Sequence, residues 1–598
     1  MIKELSELGK TLRSQKPENE WVHDALKEEP ISMEIVINID GDFQKFELFE
    51  KKPTIAESIA AKKGKARVLL DKAEEVLCYI SPEDFSKDGG KGSKKKHKLF
   101  LDKIANYQDL QELAPVVAFY KQSKPKGLEK ALKNFETAIP DEKNKKGNIG
   151  FRIQSEGIRI HEKPNVLRKV IEKYETEQKL LLTKTQKNCS ICGKTDYPVE
   201  DLPHGMIKKV PKGQSSGCAL VSYNENAFES YDLKGNSNSS ICTNCAKTYV
   251  EGMNWLLSAG NDVVVKTKKG KERKEFRYTN RKSFGSDTAM VFWTRKNEKL
   301  NEIDYLEAPN PGDVARLIES VSSGIERDSR YLEPDWFYSC TLSGSAARIA
   351  VRDWIEISLF DFRKAIAKWF QDIAIGEYNV DLKKIQTYYP RLYDLARSCQ
   401  RKNSDGSYDK DDTSLARTAV YLWNAAFKNT SLPLWMLTKV LQRARLDKYG
   451  VTSDRAALIK IILNRNNKGG GFVITERIQQ GDRPVAYVCG QIFAKLESIQ
   501  YAAIGDRNAG IRERYFTYAM TSPASAFGRL FNLNSKHFTK LKHEKPGLAV
   551  NLDKELQELC KDVDINRFPS TLLLEEQGQF AIGYYHQKQG QFSSAKSK

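Results

Sequence analysis

Two C-x-x-C pairs constrain this chain more than anything else in it: Cys189 and Cys192 in CSIC, and Cys242 and Cys245 in CTNC. Thiolates two residues apart on a tight turn can face one tetrahedral zinc, and two such turns close the site. Roughly fifty residues separate the pairs, against about 15–20 in a compact ribbon. The spacing therefore predicts a zinc ribbon with a large insertion. Protein ligands fill all four positions and leave none for an activated water, which points to a structural zinc. A pair of disulfides competes with this reading but is disfavoured in a chain without secretory signs. A redox C-x-x-C is disfavoured by the second pair and by the lack of a clear βαβ context. Cys218 lies inside the insertion as a spare thiol that could replace one ligand.

The remaining cysteines of the ten are scattered singly, which fits a reducing cytosol. The 598 residues suffice for several domains. No apolar run approaches the ~18 residues of a membrane span, and MIKELSELGKTLRSQKPENE reads as a polar amphipathic helix, not a signal peptide. A net charge of +19 calls for a polyanionic partner, with nucleic acid first and a membrane surface second.

Met33 to Leu48 alternates apolar and polar residues around Asp40-Gly41, the signal of a two-residue β-hairpin. Asp88 to Phe100 (DGGKGSKKKHKLF) reads as a flexible loop entering a helix, and NIGFRIQSEGIRI from Asn148 as further strand. Asn165 to Leu182 is helical, as is the segment carrying Tyr249 and Trp255. TAMVFWT (Thr288 to Thr294) is a buried strand. Arg348 and Arg352 share one face if their segment is helical and could clamp a phosphate, or pair with Asp353 or Glu356. Beyond about Asp372 the apolar spacing is helical almost to the end, broken by glycines at Asn466 to Phe472 and closed by a polar, disordered-looking tail. The fold expected is α+β and multidomain: an N-terminal mixed α/β region with an inserted zinc ribbon-like segment, then an all-α C-terminal bundle. Boundaries fall at 1–187, 188–246, 247–371, 372–468 and 469–598.

Catalytic motifs are lacking. GQSSG around Ser215 matches G-x-S-x-G, but in a polar loop rather than a strand-to-helix elbow. Gly193-Lys194-Thr195 lacks the leading glycine of a phosphate-binding loop, and no H-E-x-x-H occurs. The expectation is a protein that is not an enzyme.

LVSYNENAFESY, TAMVFWT, SAARIAVRDW, ALIKIILNRN, RPVAYVCGQIFAKLESIQ, RERYFTYAMTSPASAFGRL and FPSTLLLEEQGQFAIGYYHQ occur in this order along nearly the whole chain. Together they resemble the signature blocks of the large subunit of the type I-C CRISPR Cascade complex. One departure is that Asp232 stands where the family block continues with glycine. The resemblance implies a non-catalytic subunit in an RNA-guided surveillance complex, at the foot of a backbone of repeated subunits wrapped on guide RNA. Such a subunit reads the protospacer-adjacent motif in duplex DNA, helps separate the strands, steers the displaced strand and docks the helicase–nuclease. It further implies a C-terminal part like a small subunit, and a second product from internal initiation. No methionine stands between Met436 and Met520 to start one.

Zinc would pin a loop whose Asn224, Asn226, Asn236 and Asn238 amides and Lys234 offer hydrogen bonds to base edges. Ordinary turn chemistry competes for those asparagines, and the basic loop Lys63, Lys65, Arg67 is a rival for base contact. Lys268, Lys269, Lys271, Arg273, Lys274 and Arg277, interleaved with Phe276 and Tyr278, suit phosphate neutralisation with stacking. Arg512, Arg514, Arg529 and Lys540 mark a basic face for single-stranded DNA on the C-terminal helices. The alternative function is a stand-alone zinc-ribbon DNA- or RNA-binding regulator that works without guide RNA.

Overall fold

The computed structural model describes residues 1–15, 22–58, 66–121, 126–182, 186–195, 197–198, 204–223, 225–228, 230–266, 272–323, 335–401, 403, 405, 407–408, 414–467, 470–505, 510–563 and 568–595. Two compact units divide the chain: Met1–Ile207 with Ala219–Trp255, and Lys208–Cys218 with Leu256–Lys598. Strands precede a long helical region, and the expected α+β class holds.

The first unit is built on a four-stranded sheet, ordered β2 (Phe43–Glu57), β1 (Leu26–Ile37), β4 (Asn148–Ile153), β3 (Asp71–Lys72). β1 and β2 are the predicted antiparallel hairpin. Its turn spans residues 38–42 instead of two, because the Asn38 side chain accepts the Asp42 N–H at 2.7 Å and holds a wider loop. β4 runs parallel to β1, and the short strands β5 (Gln186–Lys187) and β6 (Tyr197–Pro198) pair with each other outside this sheet. Met33, Ile35 and Ile37 of β1 and Ile149, Phe151 and Ile153 of β4 pack in one core with Phe100, Ile104, Phe119 and Phe135 from the helices. Phe100 and Ile104 belong to the helix Lys91–Ala105, which replaces the flexible loop expected from Asp88 to Phe100. Gly89 (φ 67°) and Gly90 (φ 75°) serve the turn between two helices, and the lysines that follow line an exposed helical face.

The N-terminal helix Ile2–Ser14 is tied to the helix Thr243–Ser258 that follows the second cysteine pair. Ser6 Oγ and Thr248 Oγ1 are 2.8 Å apart, and Arg13 Nε donates to Glu251 at 2.6 Å. A methyl built on Gly9 would stand 2.0 Å from the Thr248 carbonyl oxygen, so only glycine permits this approach.

In the second unit, β7 (Gly260–Lys266) pairs with β8 (Glu272–Tyr278) as a separate hairpin. An antiparallel sheet follows, ordered β12 (Arg348–Ser358), β11 (Trp336–Ser345), β10 (Thr288–Thr294), β9 (Arg281–Phe284). β10 is the predicted buried strand. Arg348 and Arg352 lie on a strand, not a helix, and the register shifts beside Arg352. Asp353 pairs with Lys428 at 2.9 Å instead of with either arginine. β13 (Ile375–Asn379) and β14 (Lys384–Tyr388) form a hairpin where unbroken helix was expected.

The helices beyond share one core reaching from Phe284 to Tyr585. That core is continuous across the glycines at 469–471: Ile459 and Ile462 before them join Val488, Ile492 and Phe580 after them. Helices Val485–Ile504 and Leu574–Ala595 lie at backbone contact, and the second continues as helix to Ala595 where a disordered tail was expected. A methyl on Gly583 would stand 2.0 Å from the Tyr487 carbonyl oxygen, and one on Gly490 2.0 Å from that of Phe580. Backbone atoms cannot swing aside. Gly583→Ala is expected to cost about 3 kcal/mol in a urea titration. Gly528→Ala, in open space on the helix Pro523–Glu544, is expected to gain up to about 1 kcal/mol.

His586, 2% exposed, sits beside this contact with Nδ1 2.8 Å from the Tyr487 hydroxyl. Burial pushes its pKa down to about 3, and the nearby Lys460 ammonium pushes the same way. The folded pKa lies below the unfolded value, so the neutral ring stabilises the fold above pH ~6.5 and that contribution fades as pH falls. The stability difference between wild type and His586→Gln is expected to shift by about 1.4 kcal/mol per pH unit between pH 6 and 4, as read by denaturant titration at each pH.

Candidate metal centre and its loop

The Sγ atoms of Cys189, Cys192, Cys242 and Cys245 all lie within 4.8 Å of one another. Cys192 and Cys242 Sγ are 3.8 Å apart. Four sulfurs held about 2.3 Å from one tetrahedral ion stand about 3.8 Å from each other, so the cluster has the dimensions of a zinc–thiolate site. Local chemistry builds each half. In the first knuckle, Gly193 at φ 69° turns the chain, its N–H donating to the Cys189 carbonyl at 2.9 Å. In the second, Cys242 immediately precedes the helix Thr243–Ser258 and Cys245 lies in its first turn, where the helix dipole favours thiolates. The halves are joined by the Ser190 N–H donating to the Ser240 carbonyl at 2.7 Å. The Cys242 N–H donates to Cys189 Sγ at 3.3 Å, the kind of contact that stabilises a bound thiolate. Three of the four cysteines are buried and Cys192 is exposed. The donor set and spacing fit a closed structural zinc. Cys218 is outside the cluster, donating from Sγ to the Ala346 carbonyl at 3.3 Å.

Behind the knuckle stands a brace that the sequence reading left out. His204 Nδ1 is 3.0 Å from the Tyr249 hydroxyl, and Nε2 is 3.3 Å from Asn236 Oδ1. Because Asn236 Nδ2 donates to the Ile241 carbonyl at 3.1 Å, its Oδ1 accepts from His204 Nε2–H, and Nδ1 accepts from the tyrosine. Burial holds the His204 imidazole below its usual pKa, against the opposing pull of Asn236. A histidine near a knuckle was the available signal, but its partners lie 32 and 45 residues away.

This brace corrects the expected roles of the loop amides. Asn236 is fully buried and cannot reach a base edge. Asn238 Nδ2 donates to the Leu233 and Gly235 carbonyls at 3.0 and 3.2 Å, which is turn chemistry. Asn226 and Lys234 remain exposed, while Asn224 lies outside the described residues. Asp232 has φ 58°, the left-handed backbone that explains why a glycine suits that position. Tyr231 beside it has φ 60°, a conformation costing roughly 1–2 kcal/mol for a residue with a Cβ.

Lys63 and Lys65 lie outside the described residues. Arg67 is not a free loop cation, since its Nη2 donates to Glu29 at 3.0 Å. Lys268, Lys269 and Lys271 also lie outside the described residues, whereas Arg273, Lys274 and Arg277 are exposed on β8. Alternation divides them: Lys274 shares a face with Phe276 and Tyr278, whose rings meet at 5.1 Å, and Arg273 and Arg277 take the other. Among the C-terminal candidates, Arg514, Arg529 and Lys540 are exposed. Arg512 is half-buried and donates to the Lys448 carbonyl at 2.7 Å, so it is structural. Ser215 sits exposed on a turn, not on a strand-to-helix elbow.

Residues 5–592 match the sequence profile of a family described as CRISPR-associated protein (Cas_Csd1). The chain belongs to this family. A search of curated proteins finds no match. Membership covers both units and the cysteine cluster, so the site lies within a CRISPR-associated protein. None of the described helices is long and apolar enough to cross a membrane.

Proposed function

We propose that this chain is the large subunit of an RNA-guided type I-C Cascade complex. It recognises the protospacer-adjacent motif in duplex DNA, promotes strand separation, guides the displaced strand and helps recruit the helicase–nuclease. Its partners are guide RNA, target DNA, and the backbone and small subunits, and it works in the cytoplasm. Its zinc is structural, since a four-thiolate site keeps no position for a reacting water, and its part in the complex is binding rather than catalysis.

Beyond family membership, the β7–β8 hairpin carries this reading. Every residue from Glu272 to Arg277 on β8 is exposed. A two-stranded ribbon of this kind is marginal alone in water, so a partner that covers it stabilises it. Lys274 shares a face with the Phe276–Tyr278 pair and Arg273 and Arg277 line the opposite face, so the ribbon offers cations for phosphates on both faces and rings for base stacking on one.

The test is binding of target duplex with and without guide-loaded backbone subunits, at several salt concentrations and with intact or scrambled flanks. Tight binding is expected to need both the guide complex and the intact flank. The Arg273→Ala/Lys274→Ala/Arg277→Ala variant is expected to bind more weakly, with a log–log salt slope smaller by about 3. Equal binding by the lone protein, indifferent to guide, would replace this reading with the stand-alone regulator.

A further inference from the structure

Tyr231 is 95% exposed, more than any other large apolar or aromatic side chain among the described residues. Its backbone stands at φ 60°, ψ 29°, and Asp232 follows at φ 58°. Two successive left-handed residues make a sharp projection, and tyrosine lacks the short polar side chain that lets Asp relieve this conformation locally. Glycine would occupy the position without strain. The loop thus keeps an aromatic ring in water where both hydration and backbone preference oppose it, the kind of outlier that points to function.

The projection has a firm base. Asn236 is locked between His204 and the Ile241 carbonyl, and the Ser240 carbonyl is bonded to the first knuckle. A force on the ring is therefore resisted at Asn236, five residues on, and then at Ser240, which is bonded to the first knuckle. Charge selects what the ring meets. The exposed Asp232 carboxylate next to it repels phosphates, while the exposed Lys234 two residues on attracts them. A nucleic acid approaching under those constraints brings its backbone to Lys234 and its base face to Tyr231.

We propose that Tyr231 is a stacking finger for a nucleobase displaced from its helix. This rests on the nucleic-acid reading above and names the residue that meets the bases. The ring offers a π-face to the displaced base and so offsets the loss of its neighbours in the duplex.

The test uses the guide-loaded complex containing the full chain, with target duplexes carrying 5-iodouracil at each position near the flank in turn. Irradiation joins this base to an aromatic ring stacked on it, and peptide mass spectrometry locates the bond. A cross-link at Tyr231 from one narrow window of positions is expected. Tyr231→Phe is expected to keep the cross-link and the affinity. Tyr231→Ala and Tyr231→Gly are expected to lose the cross-link and to bind roughly 5- to 150-fold more weakly. Tyr231→Gly is expected to melt no lower than wild type, which separates lost stacking from lost folding. Flank-dependent binding that Tyr231→Ala leaves unchanged, with no cross-link at Tyr231, overturns the finger alone. A Tyr231→Ala defect confined to helicase–nuclease recruitment overturns it in favour of a protein contact. Wild-type binding that ignores flank and guide overturns the functional reading and the finger with it.

Discussion

Cys242→Ser is expected to abolish metal binding and release the loop between the knuckles. Elemental analysis of the purified wild type should find one zinc per chain, and of the variant almost none, because serine replaces one of only four ligands. Structural zinc sites carry apparent binding free energies of about 10–16 kcal/mol in small finger peptides. Here the sheet core of the first unit lies apart from the cluster and is expected to survive. The loss should instead appear as rapid proteolysis between Cys192 and Cys242, and as faster hydrogen exchange in the helices Thr243–Ser258 and Ile2–Ser14, which are held together through Ser6, Thr248 and Gly9. Cys218→Ser keeps a donor for the Ala346 carbonyl and should leave metal content unchanged. A zinc content independent of Cys242 would remove the metal from this account.

Glu34→Ala is expected to destabilise the first unit by about 3–5 kcal/mol. Glu34 is 1% exposed at the middle of β1 and is shared by two guanidiniums. Arg152 Nε lies 2.8 Å from Oε2, and Arg159 Nε pairs with Oε1. Removing the carboxylate leaves Arg152 and Arg159, 18% and 13% exposed, without their common anion, Arg152 keeping the Glu47 carboxylate and Arg159 that of Glu162 at 3.2 Å. Glu34→Gln keeps an acceptor and the shape, and should cost less than the alanine variant. Arg316→Ala, which breaks an exposed pair with Asp313 at 78% exposure, should change stability by well under 1 kcal/mol. Denaturant titration with hydrogen exchange at β1 and β4 measures all three. A Glu34→Ala loss no larger than the Arg316→Ala loss would show that this triad adds little.

Features with a short period or spacing were legible in the sequence. The knuckles could be read because C-x-x-C is a turn that sets two thiolates toward one point, whatever surrounds it. The β1–β2 hairpin, the buried strand β10 and the helix Val485–Ile504 could be read because alternation and three- or four-residue steps record which face is buried. The ordered blocks led to the CRISPR-associated family for a related reason: they lie along the chain in linear order.

What the tertiary structure decided was which side chains are used up internally. The asparagines of the loop look alike as letters, yet Asn236 is spent on His204 and Ile241 while Asn226 is open to solvent. Arg67 reads as a loop cation until Glu29, 38 residues away, claims it. The lysines after Gly90 read as a flexible run because glycine disfavours helix interiors, but here two glycines occupy the turn between helices. The glycines at 469–471 read as a boundary, yet apolar residues on both sides enter one core, since burial of surface depends on the faces the helices present and not on the segment joining them. The sequence by itself determined the four-cysteine cluster, the hairpin, strand and helices with a clear period, and the family, all set by chemistry within a few residues or by linear order. Only the tertiary structure decided which polar groups stay free for a partner, because a buried amide or guanidinium must find its hydrogen bonds wherever the fold brings them.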